Sequence, residues 1–226
     1  MHKILTLMAS IYLTTITAAC STTSDFTDQP MPKSGFLPNY SLLVSEPTDN
    51  ADARKWRCRK PGVSSEQYTS VILDPISLAQ DINQEEPQET IEKTREALQS
   101  AMLKAVQGRD KVKVVTQPGP GVARMEVRIT GAQSSADGLE PWNFTPVGLA
   151  VNAAAYAGGV NAKTPVLVVE SKITDSQTNE LIGEGLITVE GESFRTESGS
   201  LDSFIALAQK IVVVAMAASA DPTPTN

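Results

Sequence analysis

The stretch "TPVLVVESKITDSQTNELIGEGLITV", residues 164–189, decides the fold, because it reads as two strands and the turn between them. Residues 164–174 and 181–189 are rich in β-branched side chains and alternate apolar with polar positions, whereas "DSQTNE", residues 175–180, is wholly polar. Two alternating runs around a short polar connection specify an antiparallel hairpin.

Upstream, residues 111–116 and 122–130 repeat the alternation around "QPGPG", a segment whose prolines and glycines allow only a turn. In the second of these runs Met125, Val127 and Ile129 share one face, the core side, and Arg124, Glu126 and Arg128 share the other. "YTSVILDPISL", residues 68–78, is a further strand candidate ending near Asp74 and Pro75.

Two segments have helical period. From Pro87 to Gln107, Ile91, Leu98, Ala101, Met102 and Ala105 fall on one face, and Gly108 is placed to end the helix. A last helix starts from an N-cap at Ser198 or Ser200 and runs to about Ser219, burying Phe204, Leu207, Ala208 and Ile211. Its end, "IVVVAMAA", is apolar enough to raise a membrane span, but Gln209 and Lys210 precede it and a core helix is expected. "GLEPWNFTPVGLAVNAAAYAGGV", residues 138–160, supports two readings: a helix from Pro146 packed through small residues, or a lip that presents Trp142 and Phe144 to a partner. The expected fold is α+β, an antiparallel sheet of about five strands with two or three helices mainly on one face.

The N-terminus sets the compartment. Residues 1–19 combine a charged start at Lys3, an apolar run too short to span a bilayer and a small-residue end, the layout of a secretory signal peptide. Residues 20–33, "CSTTSDFTDQPMPK", are polar and aperiodic and read as a tether; residues 34–219 form one domain, and residues 220–226 a disordered tail.

Charge and ligand inventory exclude whole classes of function. The chain carries a formal charge of −7, and loss of Lys3 with the signal makes it −8, so a phosphate backbone is repelled and no nucleic-acid partner is expected. The most basic run, "RKWRCRK", residues 54–60, reads either as a solvated stretch anchored by Trp56 or as a patch for anionic headgroups. The single histidine is His2, inside the signal, so imidazole-based triads and the usual zinc and haem ligand sets are missing, and no metal or cofactor is expected.

Cys20 admits three readings: half of a disulfide with Cys58, an ordinary apolar-run residue, or a lipidation site. "TAAC", residues 17–20, resembles the lipobox of Gram-negative lipoproteins, with Thr17 where Leu is usual. The resemblance implies diacylglycerol on the sulfur, cleavage before Cys20 and acylation of the new N-terminus. Ser21, in place of the aspartate of inner-membrane retention, implies the outer membrane with the domain facing the periplasm. Cys58 is then left as a buried small hydrophobe or a thiol that pairs between chains.

"SGFLPNYSLL" shortly after the lipobox, "VILDP" at residues 71–75, "PVGLAVNAAAYAGG" at 146–159 and the strand turning at "DSQTNE" together resemble a bacterial lipoprotein family catalogued as domain of unknown function 3313. Asn179 stands where Gly is expected in the turn, a departure that a left-handed Asn accommodates. The resemblance implies a fold and a place and carries no activity.

Three functions compete. A non-enzymatic envelope adaptor would bind a protein partner through Phe36 and Tyr40 or through Trp142 and Phe144. A glycan hydrolase would need a convergent pair from Asp74, Glu126 and Asp175, and an aromatic content of 5% leaves little for sugar platforms. A small-ligand or lipid carrier would need a deep apolar cavity under the helices.

Overall fold

The structure, a computed structural model, describes residues 31–80, 82, 86–135 and 162–217. The signal segment, Cys20, Trp142, Phe144, the helix expected from Pro146 and the 220–226 tail lie outside the described residues.

The hairpin of residues 164–189 is the centre of the sheet. Strand β7 (Thr164–Asp175) pairs antiparallel with β8 (Leu181–Glu190), and Asn179 adopts the left-handed conformation at φ 58° that the turn requires. Asp175 holds that turn, its Oδ1 accepting from the amides of Gln177 at 3.0 Å and Thr178 at 2.9 Å. On one side β8 pairs with β2 (Ala53–Arg59), which pairs with the edge strand β1 (Val44–Glu46). On the other, β7 pairs with β6 (Val122–Ser135), beyond which lie β3 (Ser70–Leu73) and β5 (Lys113–Val114). The short β4 (Ser77–Leu78) also pairs with β6.

Among the described residues the sheet therefore has eight strands rather than about five, and it is mixed. The pairings β3–β5, β3–β6 and β4–β6 are parallel. The expected hairpin across "QPGPG" does not form, because β3 lies between β5 and β6. The physical reason is helix α1 (Gln88–Gln107), which crosses the sheet after β3 and β4 and returns the chain in the same direction, as a crossover must.

The second departure is β2. "RKWRCRK" is no solvated stretch: Arg54, Lys55 and Trp56 are all buried. Arg54 lies with its guanidinium 4.4 Å from the centroid of the Trp56 ring, and burial lowers its pKa to about 10. Long cationic stems can line a sheet while their heads find partners, which makes a charged strand compatible with burial.

Both described helices cover one face. α1 is bounded by Pro87 and Gly108 as expected; α2 (Glu197–Met216) begins one turn from the expected caps, with Thr196 Oγ1 accepting from Gly199 N–H at 3.1 Å. Ser200, one of the expected caps, instead donates to the buried Glu86. By length and composition α2 could cross a membrane, but here it is the core helix, with Phe204, Leu207, Ala208 and Ile211 packed on Ile129, Leu167, Val169 and Val189.

Candidate functional site

The face opposite the helices is built by "SGFLPNY". Leu37 and Leu43 pack onto Trp56, Val166, Val168 and Leu186, closing a second apolar cluster. Tyr40 is its polar hub. Its hydroxyl donates to Glu170 Oε2 at 2.6 Å and accepts from the amides of Gly35 at 2.9 Å and Leu37 at 3.3 Å. Gly35 sits at φ 86°, a left-handed conformation that bends the chain back over the phenol. Glu170 is fully buried, and its other oxygen accepts from Thr130 Oγ1 at 3.1 Å; Thr130 reaches it because the β6–β7 register slips between Ile129 and Gly131. Burial and the adjacent carboxylate both push the Tyr40 phenol above its ordinary range.

Phe36 completes this clasp. Its ring lies 4.4 Å from the Arg128 guanidinium carbon and 4.5 Å from Lys172 Nζ, with Lys172 also paired to Glu126 at 3.1 Å. Asn39 N–H points to Glu184 Oε1 at 3.4 Å, and burial raises the Glu184 pKa. Phe36 and Tyr40 are thus engaged with their own sheet.

The three acids considered for glycan cleavage are held apart. Asp74 pairs with Arg124 at 3.4 Å, Glu126 with Lys172, and Asp175 fixes the hairpin turn. None lines either cavity described here. Among the described residues no group of three or more His, Cys, Asp or Glu is placed to hold a metal. Cys58 is a free, half-buried thiol whose pKa is raised by burial and by Glu184, which makes it a poor nucleophile.

On the helix face, beyond the C-terminal end of α2, lies an open groove of about 300 Å³. Gly183, Gly185 and Ser171 form its floor, on the central strands β8 and β7. Val112 and Ala215 wall it on the helix side, and Val63 and Tyr68, from the connection after β2, wall the opposite end. Lys55, Arg57 and Arg59 line the β2 side, with Glu46 on β1 bonded to Lys55 at 3.1 Å and Arg57 at 3.6 Å. The acidic residue in the lining, Glu184, turns its carboxylate to the clasp. A smaller cavity of about 230 Å³ opens near the start of α2 beside Glu86, whose carboxylate accepts from Ser134 and Ser200.

The floor glycines have no backbone reason to be glycine. Neither has a left-handed φ. A Cβ at Gly183 would meet nothing closer than the Cys58 carbonyl at 3.4 Å, and one at Gly185 would meet the rotatable Ser171 hydroxyl at 3.0 Å. Glycine inside a strand weakens it and marks places where a ligand or backbone comes close. The "GEG" of residues 183–185, placed in mid-strand, is the sequence signal that would have located this groove.

The profile of a family described as "Protein of unknown function (DUF3313)" matches residues 32–217. The chain belongs to this family. Among relatives by sequence, the uncharacterized lipoprotein YdcL of Escherichia coli (strain K12) is 28% identical over 172 residues, 75% of this chain and 76% of YdcL. Solved structures are similar at a lower level. The PelC dodecamer from Paraburkholderia phytofirmans is 10% identical at a TM-score of 0.35, covering 70% of this chain and 95% of PelC. A minor lipoprotein from Acinetobacter baumannii is 14% identical at 0.30, covering 65% and 91%. These relatives place this DUF3313 chain among envelope lipoproteins.

Proposed function

We propose that this DUF3313 protein is anchored in the outer membrane through acylated Cys20, stands in the periplasm, and works by binding rather than by catalysis. The observation that carries this reading is the groove floored by Gly183 and Gly185, two glycines kept in a central strand at a cost of roughly 0.5–1 kcal/mol each with no backbone need for them. The first described residues pack on the clasp face, and the groove lies on the other face.

Of the two binding modes, adaptor and small-ligand carrier, the groove favours the second. Its floor belongs to β2, β7 and β8, each paired on both sides, so a peptide laid there would find no open ladder and would strand its own polar groups on an apolar surface.

In-cell photo-crosslinking tests this. A crosslinking residue at Ser65, on the groove wall, is expected to give a defined adduct, of small-molecule or protein mass, that is absent from Glu96 on the outer face of α1 and lost in Gly183→Val. Equal labelling from both positions, or labelling unchanged by Gly183→Val, would show that the groove is not the binding surface.

A further inference from the structure

We propose that the groove takes the acyl chain of a free medium-chain fatty acid, with its carboxylate at the Lys55–Arg57 end. This names the ligand of the binding site argued above and rests on that reading.

The polarity is laid out along the groove. Away from β2 the lining is mostly apolar: Val71, Ala123, Met125, Ile173 and Ile182 offer neither donors nor acceptors from their side chains, and Tyr68 and Ser70 add hydroxyls at the rim. An acyl chain is the ligand segment that loses nothing there, because it has no polar group to leave unsatisfied. At the β2 side the lining changes to Lys55, Arg57 and Arg59, and Glu46 holds the first two in place. An arginine beside an apolar slot recognises a planar carboxylate by charge and by paired donors together. Glu46 pairs with both Lys55 and Arg57, so an incoming carboxylate would share their donors with it.

Size agrees with one chain rather than two. At about 300 Å³ the groove has room for on the order of ten methylene-sized groups, taking ~30 Å³ for a water-sized volume, and it sits at the lower end of the range of ligand pockets. The glycines give the chain a smooth floor, and Ser171 lies beside them.

Binding of saturated fatty acids from hexanoic to hexadecanoic, below their micelle concentrations, is measured by displacement of a fluorescent fatty acid. The protein is the chain from residue 20 onward with Cys20→Ala, which keeps every described residue. Affinity is expected to rise about fourfold per methylene up to about ten carbons and then level off. The methyl ester of the same chain should bind about tenfold more weakly or worse. Gly183→Val should weaken the acid by about tenfold without lowering the unfolding midpoint, because its side chain enters the groove and its Cβ meets nothing closer than the Cys58 carbonyl at 3.4 Å. Affinity independent of chain length, an ester that binds as well as the acid, or a lysophospholipid that binds more tightly than the fatty acid would overturn the assignment. If no amphiphile binds while the Ser65 crosslinker still captures one protein in a Gly183-dependent way, the fatty acid is refuted and the groove stands as a binding site.

Discussion

Replacing Tyr40 by Phe removes one oxygen and leaves the ring in place, so it isolates the clasp. The lost hydroxyl donates to a fully buried carboxylate at 2.6 Å, a class of hydrogen bond worth about 1.5–3 kcal/mol. The two amides it accepts from, those of Gly35 and Leu37, lose their partner as well; the first is exposed and finds water, the second is partly buried and adds about 1 kcal/mol. The expected destabilisation is about 2–4 kcal/mol, which for a domain of this size lowers the melting temperature by roughly 5–15 °C. Urea unfolding followed by fluorescence of Trp56, which packs in the same cluster, and by circular dichroism measures it. The double variant Tyr40→Phe, Glu170→Gln should lose less than the sum of the two single variants, since one removes and the other weakens the same charge-assisted bond. The pH dependence has a definite sign. A phenol whose folded pKa is raised contributes stability that is complete below its unfolded pKa of about 10 and declines as pH climbs through the folded value, so the alkaline decline should be shallower in Tyr40→Phe. Some decline should persist from Tyr68, whose pKa is raised by burial and by Asp175. A loss below about 0.5 kcal/mol, or strict additivity with Glu170→Gln, would refute the clasp as a source of stability.

Other outcomes are expected elsewhere in the chain. Cys20→Ala should move the protein from the outer-membrane fraction to the soluble periplasm and abolish incorporation of labelled palmitate; persistence in the membrane fraction would contradict lipid anchoring. Phe204→Ala, at a site with no exposed surface, should cost about 3–5 kcal/mol in urea unfolding. Glu184→Gln keeps an acceptor for Asn39 N–H and removes a charge that burial disfavours. It should therefore be the more stable form at neutral pH, with the gap closing as pH falls through the raised folded pKa and gone below the ordinary glutamate value, about 4.3. Asp175→Asn should flatten the acid limb of the stability curve: turn amides lower the Asp175 pKa, so its contribution is present above the ordinary aspartate value and fades as pH drops through the folded one.

What the sequence shows well is local. α1 could be bounded to within a residue because Pro87 and Gly108 act on their own neighbours, and the 164–189 hairpin because alternation and a polar turn are properties of one short stretch. Asn179 was readable for the same reason. The parallel pairing of β3 with β6 was not, since nothing within "SVIL" states which strand will lie beside it. β2 was hidden by its charge: Arg54 and Lys55 read as solvent-facing until Arg54 is seen stacked on Trp56 of its own strand and Lys55 paired with Glu46 on the neighbouring β1. "SGFLPNY" was legible as a docking segment from its abrupt apolar content, but Tyr40 as its hub depends on Glu170, 130 residues away.

The clasp and the groove are two faces of the same residues in alternation. On β8, Gly183 and Gly185 floor the groove while Glu184 between them turns to Asn39; on β7, Ser171 lies in the groove and Glu170 before it holds Tyr40. On β2, Arg57 lines the groove and Trp56 before it backs the clasp. Side chains in a strand alternate with period two, so a one-residue slip of β8 against β7 would bury the glycines under Leu37 and drive Glu184 into the groove. This explains why a charged residue is tolerated between two glycines in the middle of a sheet. "GEG" meets two separate demands, an empty floor on one face and an acceptor for the anchor segment on the other, and no apolar triplet meets both.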